Sequence, residues 1–182
     1  MTVTDPVVLT IGGRVPNVDA AIFIAPGTYV LGDVTLGEGT SIWYGSVLRA
    51  ERASIVVGRD VNIQDGCILH VDPDFPISIG DRTSLGHGAV VHGATVEDDV
   101  LIGMRATVLN GAVIGAGSHV AAGSVVRPGM IVPPGSMVAG VPAAVRRPVS
   151  DAERATILAT APTYRELAGL HRRAVAERGD VG

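Results

Sequence analysis

The chain has 182 residues, a net charge of −4, and 14 arginines with no lysine. Aromatic residues make up only 3% while glycine numbers 24, so the core cannot rest on ring volume and must stack small branched side chains at close spacing. The positive charge is nowhere concentrated, which argues against nucleic acid and anionic membranes as partners, since both need a dense cationic face.

The first residues, from Met1 to Pro6, lack the charged and apolar runs of a signal peptide. No uncharged apolar stretch reaches the roughly 18 residues needed to span a bilayer. The expected location is therefore cytoplasmic. The one cysteine, Cys67, lies among small apolar residues and reads as a buried structural thiol rather than a nucleophile.

From Val18 onward, branched residues recur every six positions: Val18, Ile24, Val30, Leu36, Ile42, Leu48. The phase resumes at Val57, Ile63, Leu69 and again at Ile79, Leu85, Val91. After a slip of one residue it runs from Val96 through Ile102, Val108 and Ile114 to Val138. A helix repeats near 3.6 and a strand at 2, so a period of six is neither. Six is the period of a parallel β-helix in which three short strands and three corners close one triangular coil of about 18 residues. Between six and seven coils are expected, with Gly and Asn supplying the positive φ at corners. A small residue, such as Thr40, Ser46, Thr83 or Ser118, often follows four places after the apolar one.

Residues 1–148 are read as this left-handed β-helix, an all-β solenoid, and residues 149–182 as a C-terminal helical segment packing on it. Pro142 and Pro148 break the repeat, and Ser150 with Glu153 has the form of a capping box. Pro162 should end or restart the helix. Tyr164, Leu167, Leu170 and Val175 then follow at helical spacing, and residues 179–182 read as a frayed tail.

Three of the five histidines carry the chemistry. His70 follows the core residue Leu69 by one place, and His92 follows Val91 by one place. Both triplets end there, so the two imidazoles should sit on one face of neighbouring coils, about 4.8 Å apart and pointing outward. His87, two places after Leu85, falls on the preceding face and can join that pair only from another subunit. Three histidines with an open fourth position form a catalytic zinc set, so the spacing predicts a homotrimer and a metal together. His119 and His171 read as surface residues in a corner and in the helix.

The runs Trp43-Tyr44-Gly45-Ser46-Val47-Leu48-Arg49-Ala50-Glu51, Asn62-Ile63-Gln64-Asp65-Gly66-Cys67-Ile68-Leu69-His70, Leu85-Gly86-His87-Gly88-Ala89-Val90-Val91-His92-Gly93 and Ala139-Gly140-Val141-Pro142 resemble the γ-carbonic anhydrase family, in its short bacterial hexapeptide-repeat branch. The resemblance implies one Zn2+ (or Fe2+ or Co2+) per subunit interface, held by His70, His87 and His92. It implies reversible hydration of CO2 to bicarbonate by metal-bound hydroxide. It makes Gln64 the residue that orients the bound water, Asn62 its pocket neighbour, and Tyr164 a tyrosine delivered by the terminal helix. Arg49, Glu51 and Asp65 match ion-pairing positions at the subunit interface.

Two departures stand out. The family's usual Arg-Gly-Asp is here Arg49-Ala50-Glu51, and the acidic proton-shuttling loop is missing. Only Asp72 and Asp74 lie between His70 and Ile79, which implies slow hydration. Three other functions share the coil: a metal-dependent ester or thioester hydrolase, a hexapeptide-repeat acyltransferase with a CoA tunnel, and a scaffold homologue of weak activity.

Overall fold

The computed structural model describes residues 5–178; the expected signal-free start before Asp5 and the tail 179–182 lie outside them. The six-residue period folds as a parallel, left-handed β-solenoid of about seven turns with one C-terminal helix. Each branched residue becomes a rung of one of three inward-facing ladders. Ile24, Ile42, Ile63, Leu85, Ile102, Val120 and Val138 form the first. Val30, Leu48, Leu69, Val91, Val108 and Val126 form the second. Leu36, Val57, Ile79, Val96, Ile114 and Val132 form the third. Nearly all are fully buried, in one continuous core.

The small polar residues four places on are staples between coils. Thr83 Oγ1 donates to the Glu97 carbonyl at 2.7 Å and accepts from the Val100 amide at 3.2 Å. Thr40 and Ser46 bridge in the same way. Thr83→Val keeps the shape but leaves a buried amide and carbonyl unpaired, so it should lower stability by about 1–3 kcal/mol, read as a reduced guanidinium midpoint.

Two glycine roles separate. Gly103 follows Ile102 with an ordinary φ, yet a Cβ there would meet the Ala122 amide nitrogen of the next coil at 2.5 Å, so this position is empty to let coils approach. Corner residues such as Gly66 take φ near +69° instead. Asn does not share that task as expected. Among the described residues, the non-glycine positions with positive φ are Asp60, Arg82, Asp99 and Arg105.

The repeat does not define either end. A strand at Val7–Leu9, outside the six-residue pattern, pairs with Tyr29–Leu36. At the other end, the strand Ala143–Pro148 turns back antiparallel onto Ser136–Gly140. It covers a sheet edge that would otherwise present unpaired backbone.

Helix α1 spans Asp151–Arg178 without interruption, with Pro162 inside it. The expected break is therefore absent. Proline removes one amide donor and so frees the Leu158 carbonyl, but Leu158 lies on the exposed side of the helix. The Thr160 and Thr163 hydroxyls reinforce the adjoining turns by donating to the Thr156 and Ala159 carbonyls. The start is a reciprocal capping box: the Ser150 amide donates to Glu153 Oε2 at 2.9 Å and the Glu153 amide donates to Ser150 Oγ at 3.3 Å. Hydrogen bonds from Arg147, and then from Ser150, hold the Glu153 carboxyl well below the usual carboxylate range.

The buried stripe of α1 differs from the expected one. Tyr164, Leu167, Ala168 and His171 follow the i, i+3, i+4, i+7 spacing and pack on Phe23, Trp43 and Tyr44. Leu170 and Val175 face outward, 48% and 37% exposed. His171 is thus part of an aromatic cluster, with Nδ1 2.9 Å from the Tyr44 hydroxyl. His119 lies in a strand rather than a corner. It is half-buried, and that burial lowers its pKa. Arg165 donates to Asp60 at 2.7 Å and ties α1 to the prism. Among the described residues no helix is long and apolar enough to cross a membrane.

Candidate metal centre

His70 closes the strand Ile68–His70 and His92 closes Val90–His92, and the two are register partners in adjacent coils. Arg49 occupies the same place one coil earlier. The ladder therefore sets three outward side chains in a column. His70 Nδ1 and His92 Nε2 face each other at 2.8 Å.

The partners of these rings fix their tautomers. His70 Nε2 lies 3.3 Å from Glu51 Oε1, an acceptor only, so this nitrogen carries hydrogen. His92 Nδ1 lies 2.5 Å from Asn110 Oδ1, and Asn110 Nδ2 in turn donates to Asp72 Oδ2 at 2.7 Å. The amide is thereby oriented, and His92 Nδ1 is the nitrogen that donates. Both remaining nitrogens, the facing pair, present lone pairs to each other. Only a cation or a shared proton relieves that arrangement. Two imidazole nitrogens on one tetrahedral zinc stand about 3.3 Å apart, close to the spacing here, so the donor set fits such a metal.

Glu51 supports this reading. Burial alone would raise its carboxyl pKa. Hydrogen bonds from its own backbone amide and from His70, with the charge of Arg49, outweigh burial and hold it below the ordinary value. Arg49 contacts the same Oε1, while Oε2 is buried with no partner.

His87 sits elsewhere. It occupies the corner after Ser84–Leu85, is exposed, and its Nδ1 lies 2.8 Å from Asp65 Oδ2. Its Nε2 is 3.5 Å from the Tyr164 hydroxyl delivered by α1. Burial, followed by the charge of Asp65, raises the pKa of both Tyr164 and Tyr44. The buried amide of Gln64 is fixed at both ends. Its Oε1 accepts from the His87 amide at 3.2 Å, and its Nε2 donates to Asn62 Oδ1 at 3.0 Å. Asn62 donates onward to Ser84 at 2.7 Å.

The chain thus holds two half-sites, His70 with His92 and His87 with Gln64, Asn62, Asp65 and Tyr164. Among the described residues no three metal-ligating side chains converge within one chain. Arg49 and Asp65, expected to pair between subunits, are engaged within the chain by Glu51 and His87 respectively.

Cys67 is fully buried and its thiol is pushed up to about 12, chiefly by burial. It holds its proton at neutral pH and contributes no nucleophile. Beside His92 opens a mostly apolar cleft of about 580 Å3, lined by Phe75, Leu109, Asn110 and Pro128. Sequence reasoning passed over Asn110. Its only signal was its place 18 residues, one coil, after His92.

Residues 93–128 match the model described as bacterial transferase hexapeptide (six repeats), and 76–100 that described as hexapeptide repeat of succinyl-transferase. Gamma carbonic anhydrase 2, mitochondrial, of Arabidopsis thaliana is 42% identical over 162 residues; the match covers 86% of this chain but only 58% of that protein's length. The carbonic anhydrase of Geobacillus kaustophilus is 47% identical, over 76% of each chain. The chain belongs to the γ-carbonic anhydrase family. The solved structure of a hexapeptide transferase family protein from Anaplasma phagocytophilum superimposes with a TM-score of 0.85 at 35% identity, covering 89% of this chain and 96% of that one. The Arg49-Ala50-Glu51 variation in this γ-carbonic anhydrase chain has a local account. Ala50 is fully buried, and Glu51 is long enough to reach both Arg49 and the His70 ring.

Proposed function

We propose that the protein hydrates CO2 reversibly at a metal centre shared between subunits of a homotrimer, with His70 and His92 from one chain and His87 from the next. The facing lone pairs of His70 and His92, held by Glu51 and Asn110, carry this reading. The metal's contribution is to bring the pKa of a coordinated water from 15.7 towards about 7, so that a nucleophile exists at neutral pH.

The chain's own residues do the rest. Neutral imidazoles leave the cation its full charge. Gln64 is an amide that does not titrate; with Oε1 and Nε2 each already bonded, it is a rigid fixture whose second Nε2 hydrogen can orient an oxygen. Asn62 holds it in place. Tyr164 closes the site from α1. The apolar cleft beside His92 suits an uncharged gas and disfavours bicarbonate, which aids product release. Proton removal is the weak point. Asp72 is engaged by Asn110, and Asp74 is exposed on the turn beyond it.

Stopped-flow CO2 hydration on zinc-loaded and iron(II)-loaded protein should show a metal-dependent rate that rises with buffer concentration, as buffer takes the proton. No rate with metal bound would move the function to ester or thioester hydrolysis or to scaffolding. The likeness to a hexapeptide transferase family protein favours acyl transfer as the second reading; it is supported if acetyl-CoA raises the melting temperature and zinc does not.

A further inference from the structure

We infer that Asn110 is a positioning residue for the metal centre, and that Asp72 acts through it by fixing which end of its amide faces His92. The inference rests on the metal-site reading above. It concerns how this chain presets one ligand rather than which ligands there are.

The observations form a chain of two hydrogen bonds with one consistent direction. Asp72 Oδ2 accepts from Asn110 Nδ2 at 2.7 Å, and Asn110 Oδ1 accepts from His92 Nδ1 at 2.5 Å. Asp72 itself lies 4.0 Å from His92 Nδ1, too far to bond it directly. An ionised carboxylate has no donor, so it selects the amide's NH2 and turns the carbonyl towards the imidazole. A carbonyl oxygen can only accept, so His92 carries its hydrogen on Nδ1 and keeps the lone pair on Nε2, which faces His70. A ligating imidazole with its other nitrogen donating to an outer partner is the arrangement that sets tautomer and ring orientation in metal sites.

The backbone explains why these two residues meet. Asn110 stands one coil beyond His92, and its carbonyl accepts from the Gly129 amide of the following coil at 2.8 Å. Asp72 begins the tight turn after His70, closed by the Phe75 amide donating to the Asp72 carbonyl at 3.0 Å. That turn sits in the insertion between Leu69 and Ile79, so the extra residues there serve to carry a carboxylate across two coils to an amide.

Asp72→Asn is the telling variant. The new side chain can donate as well as accept, so the Asn110 amide is free to reverse and offer its NH2 to His92. The ring then shifts its hydrogen to Nε2 and blocks the metal-facing lone pair. Zinc affinity, measured by competition with a chromogenic chelator, should fall about 10–100-fold, as it should for Asn110→Leu. The double exchange Asp72→Asn with Asn110→Asp puts an acceptor-only group back against His92 and should restore affinity to within a few-fold of the parent. Long-range 1H–15N spectra of the metal-free protein read the tautomer directly: hydrogen on Nδ1 in the parent, on Nε2 or mixed in Asp72→Asn. Thermal melts of the metal-free variants keep folding defects apart from ligand effects. Should the parent bind zinc through His92 while Asp72→Asn and Asn110→Leu bind it equally well with the Nδ1 hydrogen unmoved, the relay is wrong. A parent that refuses zinc while its spectra show the Nδ1 hydrogen in place sinks the metal reading and leaves the hydrogen-bond chain standing.

Discussion

Chains carrying His87→Ala and chains carrying His92→Ala should each lose CO2 hydration by more than about 100-fold, since partners outside the ligand sphere are already worth 10–100-fold. A one-to-one mixture of the two, unfolded and refolded together, should recover about a quarter of the parent's rate. The reason is the split between half-sites. His70 and His92 are register partners in one column, whereas His87 lies at a corner with Asp65 and Tyr164. In the proposed closed ring, each site would take its pair from one chain and its single histidine from the next. Half the pairs and half of the single histidines are intact after random mixing, so about one site in four is whole. A site built within one chain would recover nothing, and so would a monomer. Mixing His70→Ala with His92→Ala should also recover nothing, because both belong to the same half.

Leu69→Ala should lower stability by about 2–5 kcal/mol, measured by guanidinium unfolding. Leu69 is fully buried between Leu48 and Val91 in one ladder. A solenoid couples each coil mainly to its two neighbours, and the coils above and below are already in contact across the staples and glycine corners, so the cavity has little room to collapse. His70 adjoins this residue, and zinc affinity should drop with it. Ile131→Ala tests the contrast. That side chain is 65% exposed, and its truncation should change stability by no more than about 0.5 kcal/mol.

The sequence was most legible where a period constrained it. Six-residue spacing fixed which side chains point inward, and one-place offsets from Leu69 and Val91 were enough to put His70 and His92 side by side. Two residues after Leu85 was enough to set His87 apart. What the period does not reach was harder to read. The turn that brings Asp72 to Asn110 lies in an insertion, where no spacing relates one side chain to another. The paired strand at Val7–Leu9 precedes the repeat altogether. In α1, apolar character drew attention to Leu170, yet the seventh residue from Tyr164 is His171, and an aromatic cluster buries imidazole as readily as leucine. Pro162 marked a break that a long helix packed on both halves did not obey.

The course of α1 makes the prism and the helix a pair of matched scales. The helix starts where the coils end and runs back along them, so that Ile157 meets Met137, Tyr164 meets Trp43 and His87, and His171 meets Phe23. Coils advance by about 4.8 Å each and helix residues by about 1.5 Å, so one coil equals roughly three helix residues. Three residues do not make a whole turn, but seven make nearly two and span about the rise of two coils. A coil added or removed singly between His87 and Ser150 would shift Tyr164 by about 4.8 Å in height, and the three helix residues that restore the height would leave it about 60° off in angle. Two coils matched by about seven helix residues would keep both height and angle.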